Sequence, residues 1–127
     1  VLRTLLNYET NEYKLWQLVI MGQIELLTRI QRMRNFMDRI ALKYTINPLD
    51  QHETKEMIEF RLKQAGLANA SKIFTHQAIC SIYEHTQGYP RKIAMLCHDC
   101  LETIVMKELG VVDAEVVKSL IAQEKKT

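Results

Sequence analysis

The chain has 127 residues, of which 47% are apolar, 25% charged and 7% aromatic, the proportions of a globular domain with a core and not of a disordered tail. Seventeen Lys and Arg against fifteen Asp and Glu leave a net charge of +2, too small for bulk electrostatics to call for nucleic acid or a membrane surface. The three cysteines are too few for a disulfide framework, which points to a reducing, cytoplasmic setting, and no apolar run approaches the roughly 20 residues that cross a bilayer.

The pattern begins with a short helix over Leu2, Leu5 and Leu6, closed by the polar stretch Glu9-Thr10-Asn11-Glu12. Leu15 to Met21 is a continuous apolar run ending at Gly22, and its length and β-branched residues predict a strand buried on both faces, which demands partner strands. Ile24, Leu27, Ile30, Arg34 and Met37 mark a helix, and Ile40 to Ile46 reads as a second short strand closed by Asn47-Pro48.

From Leu49 the texture changes to capped helices. Asp50 and Glu53 have capping-box spacing and open a helix with Met57, Ile58, Leu62 and Ala65 inward, ending at Gly66. Thr75 caps the next, with Ala78, Ile79, Ile82 and Tyr83 inward and Gly88 at its exit. Pro90 stands where a first-turn proline belongs, ahead of a stripe of Ile93, Leu96, Cys97, Cys100, Leu101, Ile104 and Val105. Asp113 caps the last helix, with Val116, Val117, Leu120 and Ile121 inward, before a frayed Glu124 to Thr127. The expected fold is mainly α with one or two strands, divided into 1–48 and 49–127.

Cys97-His98-Asp99-Cys100 has the gap of a zinc knuckle or redox pair, but no second pair completes four ligands, and both cysteines fall on an apolar stripe; packing is the reading preferred over metal or redox chemistry. His52, His76 and His85 read as surface or helix-end residues without a role. Arg29, Arg32, Arg34 and Arg39 cluster between the two predicted strands, either as a solvated face or with one guanidinium offered to phosphate, Arg39 being the best placed. Gln23 is either a polar turn residue or, at the carboxyl end of a parallel strand, a ligand-facing amide. Arg91 opposes the helix dipole in the first turn after Pro90, which suggests an anionic partner.

In order along the chain, Leu18-Val19-Ile20-Met21-Gly22-Gln23, the helix carrying Arg29 to Arg34, Asp38-Arg39-Ile40-Ala41-Leu42, Asn47-Pro48-Leu49 and Gly88-Tyr89-Pro90-Arg91-Lys92-Ile93 resemble the second half of an AAA+ ATPase. Among these ATPases the chain most resembles the general secretion pathway protein A (ExeA-like) type. The resemblance implies a remnant of the α/β nucleotide-binding core over 1–48 and a four-helix lid over 49–127. It implies catalytic roles for Gln23, as the sensor that orients the attacking water, and for Arg39, as the arginine finger that reaches the nucleotide of an adjacent subunit. Arg91 would be the lid's nucleotide-binding sensor.

The pattern departs from that family in one respect: no G-x-x-x-x-G-K-[ST] loop and no apolar strand ending in Asp-Glu occurs in the 127 residues. The expectation is therefore a fragment, inactive alone, of a parent that binds and hydrolyses ATP with Mg2+, no cofactor or metal being held by this piece itself. The parent would form a ring and serve the assembly of a type II secretion or related surface apparatus, with apparatus proteins as partners and any membrane anchor elsewhere in the chain. The fragment would self-associate through residues 1–46, where Leu15 to Met21 lacks its neighbours. The alternative is a transposition-type ATPase regulator, or a helical adaptor binding protein or DNA partners.

Overall fold

A computed structural model describes residues 18–124, Phe36 by its backbone alone. The predicted helix over Leu2 to Leu6 and the first half of the Leu15 to Met21 segment lie outside the described residues. The chain divides into two compact units, Val1–Thr45 and Ile46–Thr127.

The described part of the first unit holds two helices, α1 (Ile24–Gln31) and α2 (Arg34–Met37). Periodicity predicts a single helix from Ile24 to Met37; instead the Met33 amide donates to Ile30 O at 2.8 Å, a tight turn that closes α1, and the Met37 amide donates to Met33 O at 3.1 Å as α2 begins. Neither predicted strand segment forms a strand within the described residues: 18–21 and 40–46 have no regular structure. The reason is the one that the apolar run itself announced. A strand exists only as half of a ladder, and these segments have no partner strand among the described residues.

The second unit contains α3 (Gln51–Gln64), a short α4 (Ala70–Ile73), α5 (His76–Thr86), α6 (Pro90–Met106) and α7 (Ala114–Glu124), so the architecture is mainly α. Its start signals act as their chemistry predicts. The Asp50 carboxylate accepts from the Glu53 amide at 2.8 Å while Glu53 accepts from the Asp50 amide at 2.8 Å, a reciprocal capping box that satisfies two amides left over at the start of α3. Thr75 Oγ1 accepts from Ala78 N at 3.2 Å, and Asp113 accepts from the amides of Glu115 and Val116 at 3.0 and 2.9 Å.

One apolar core joins these helices. Ile82 and Ile93 are fully buried, packed with Ile58, Phe74, Leu96, Cys100, Ile104 and Val117. Two expected inward positions face water: Ala65 lies just past the end of α3, and Val105 is 76% exposed, because one step of about 100° beyond Ile104 carries it out of the stripe. The short α4 and the bridge after it were not expected. Phe74 pairs in parallel with Val112, the Val112 amide donating to Ile73 O at 2.7 Å and the Thr75 amide to Val112 O at 3.0 Å. This bridge ties the approach to α5 to the approach to α7.

Candidate functional site

The corner that leads into α6 is built around Gly88. The helix before it, α5, ends with Gln87 in the left-handed region at φ 53°, and Gly88 follows at φ 74°. Gly88 is buried, its carbonyl accepts the Leu49 amide at 2.9 Å, and a Cβ at this position would run into the Leu49 carbonyl oxygen. A glycine is required here twice over, for its positive φ and for the close approach of the chain entering α3. Buried Thr86 steadies the same corner, donating its hydroxyl to Ile82 O at 2.7 Å while its carbonyl accepts the Tyr89 amide at 3.2 Å.

Tyr89 is the N-cap of α6 but offers no side-chain cap, and Pro90 opens the first turn, which contains no acidic residue. Arg91 and Lys92 follow, both exposed, with the Lys92 ammonium 5.6 Å from the Tyr89 ring centroid. A 17-residue helix thus presents the positive end of its dipole with two cations and no carboxylate in its first turn. Such an end attracts an anion and fits a phosphate group.

The other two candidates belong to the first unit. Gln23 is the N-cap of α1 with extended backbone; its carbonyl accepts the Leu26 amide at 3.0 Å, while its side chain makes no cap hydrogen bond and is exposed. Arg39 is exposed in the turn that follows α2. Gln23 and Arg39 thus bracket α1 and α2, and Arg91 stands in the other unit. Of the neighbouring arginines, Arg29 sits in the last turn of α1, where a cation complements the negative end of the helix dipole.

The cysteine pair of α6 behaves as packing. Cys100 is fully buried and Cys97 is half-buried. Burial pushes both thiols up to about 12, helped at Cys97 by the neighbouring Cys100 and at Cys100 by Asp99, so neither offers the thiolate that metal or redox chemistry uses. Among the described residues no group of three or more His, Cys, Asp or Glu is arranged to hold a metal ion. Cys97 instead lines an open apolar groove of about 340 Å³ between α3 and α6, with Met57, Leu62, Ala94 and Leu101 along its walls. No helix among the described residues is long and apolar enough to cross a membrane.

Two polar contacts join residues far apart in sequence. His85 Nε2 lies 3.0 Å from Glu124 Oε2, fastening the end of α7 to α5. Gln51 Nε2 donates to Cys80 Sγ at 2.9 Å, and His76 Nε2 lies 3.7 Å from the same sulfur. The spacing of four between His76 and Cys80 is legible in the sequence; the arrival of Gln51 from another helix is not.

Against known proteins, the chain is 35% identical over 102 residues to General secretion pathway protein A of Aeromonas hydrophila, an alignment covering 79% of this chain and 18% of that protein. It is 36% identical over 83 residues to an uncharacterized HTH-type transcriptional regulator of Methanocaldococcus jannaschii, covering 64% of this chain and 20% of the regulator. The chain thus corresponds to a fifth or less of the length of these two relatives. No family model matches it, and no solved structure does. Over the aligned residues the chain is a distant relative of General secretion pathway protein A.

Proposed function

We propose that this chain is the sensor and lid portion of an AAA+ ATPase that couples ATP hydrolysis to the assembly of a secretion apparatus. The observation that carries the reading is the corner at Gly88 to Arg91, where a buried glycine and a first-turn proline hold an arginine at a helix N-terminus whose first turn has no carboxylate. The partial identity with General secretion pathway protein A supports the secretion assignment.

In this reading residues 1–48 belong to the nucleotide-binding core and 49–127 form the lid. Arg91 binds phosphate and closes the lid, Gln23 orients the attacking water, and Arg39 neutralises charge on the nucleotide of an adjacent subunit. Phosphate suits the α6 N-terminus; the 127 residues contain no phosphate loop, so the cradle for ATP and the ligands for Mg2+ come from other sequence of the parent. In an ATPase that carries this segment, Arg39→Ala lowers turnover on the order of 10³-fold with nucleotide binding retained, and mixing it with a subunit dead in its phosphate loop restores part of the activity. Arg91→Ala weakens nucleotide binding by about 1–3 kcal/mol, the cost of a charge-assisted hydrogen bond to phosphate. Normal turnover in Arg39→Ala together with unchanged affinity in Arg91→Ala refutes the assignment.

Val19, Met21, Leu42 and Tyr44, each more than 80% exposed, support self-association of the chain through its first unit. Light scattering on the wild type and on a Leu42→Lys, Tyr44→Lys variant tests this, dissociation of the variant being expected. A second reading, as a DNA-associated adaptor, is favoured by the HTH-type relative. It predicts salt-dependent duplex binding weakened by replacing Arg29, Arg32 and Arg34 with Ala.

A further inference from the structure

The four histidines of the chain do not have equivalent neighbours. His52 lies 3.7 Å from Glu56, His85 3.0 Å from Glu124 and His98 3.3 Å from Glu102. His76 faces a thiol instead, its Nε2 lying 3.7 Å from Cys80 Sγ, one turn along α5. Gln51, the first residue of α3, brings an amide N–H to the same sulfur at 2.9 Å.

The three cysteines differ in the same way. Cys97 and Cys100 sit on the buried stripe of α6 with their thiols pushed up to about 12. Cys80 is half-buried on α5, with an imidazole nitrogen and an amide donor around its sulfur. A base within reach of the S–H and a donor aimed at the sulfur are what a thiol needs to act as a nucleophile.

We propose that Cys80 is a site of reversible thiolation by low-molecular-weight disulfides, with His76 as the proton acceptor and Gln51 as the donor that steadies the sulfur. Cys80 Sγ attacks one sulfur of the disulfide as its proton passes to His76 Nε2. The S–S bond of the disulfide breaks, a new bond joins Cys80 Sγ to one half, and the other half leaves as a thiolate that takes the proton from His76. Cys80 is oxidised to a mixed disulfide, and the departing half is reduced to a thiol.

The adduct occupies the space in which Gln51 meets the sulfur. Gln51 opens α3 two residues after Leu49, whose amide is bonded to Gly88 O at 2.9 Å, so thiolation loosens the first turn of α3 on α5. This inference does not depend on the ATPase reading.

The test incubates the full chain with oxidised glutathione and follows each cysteine by peptide mass mapping, with hydrogen exchange measured on the product. Cys80 should form its adduct first, with Cys97 and Cys100 slower by on the order of 100-fold or more, as their suppressed thiolates require. His76→Ala and the polar, non-basic His76→Gln should each slow the Cys80 reaction on the order of 100-fold, the loss expected when a proton acceptor is removed. Thiolation should lower exchange protection in the first turn of α3, and dithiothreitol should restore it. In the wild type, adducts at Cys97 or Cys100 as early as at Cys80 overturn the proposal without recourse to any variant. An unchanged Cys80 rate in either folded His76 variant overturns it as well.

Discussion

Between residues 18 and 45, Val19 and Met21 are more than four-fifths exposed and no described side chain is buried, whereas between 46 and 124 Ile82, Ile93 and Val117 have no exposed surface at all. Both stretches are rich in apolar residues, so hydrophobicity does not explain the difference. What separates them is self-sufficiency. A helix bonds most of its own backbone and needs only another helix to cover its stripe, and the second unit supplies five helices within 79 residues, 46 to 124, three of them opened by a side-chain cap. A strand leaves half of its backbone groups for a neighbour, and the described part of the first unit has none to offer.

This contrast can be broken most forcefully in the core. Ile82→Ala should destabilise the second unit by about 2–5 kcal/mol, the cost of a cavity among α3, α5 and α6, whereas Ile24→Ala, on a side chain 70% exposed, should stay within about 0.5 kcal/mol. Urea denaturation of the two variants checks this, and equal losses would mean that the first unit has a core after all.

Gly88→Ala comes next. It forces a Cβ toward the Leu49 carbonyl at φ 74° and should cost about 2–3 kcal/mol, with exchange protection falling first at Leu49 and the start of α6.

The cysteines sharpen the comparison through pH. In the folded chain burial holds Cys97 and Cys100 protonated up to about 12, while in the unfolded chain they ionise near the ordinary 9.0. Between those values the unfolded state binds fewer protons, so the contribution is complete below 9.0 and is lost as pH rises above it, by at most about 1.4 kcal/mol per pH unit for each thiol. Urea midpoints at pH 8 and pH 10 should fall more steeply for the wild type than for Cys97→Ala or Cys100→Ala. The smallest effect belongs to the cap: Asp50→Ala should cost about 1 kcal/mol and fray only the first turn of α3.

Much of the second unit was legible because its signals are local. Asp50 with Glu53, Thr75, Pro90 and Asp113 each act through hydrogen bonds or ring geometry within three residues, and spacing alone identifies them. The break in the helix after α1 was not legible, since the turn at Met33 competes with an apolar period that runs straight through it. Residues 18–21 and 40–46 were misread as strand for the opposite reason. Their composition is right for a sheet, but a strand is a property of two segments and one segment cannot vouch for the other.

The candidate site divides along the same line. The Gly-Tyr-Pro-Arg run by itself determined that Arg91 opens a helix, because Pro90 fixes its own φ and has no amide to lose there. Which backbone Gly88 must admit, and that Gln51 meets His76 at Cys80, were decided only when α3 packed on α5, bringing together residues 39 and 29 positions apart. Sequence spacing governs contacts within one turn of helix; contacts between helices follow from how their buried faces fill a shared core.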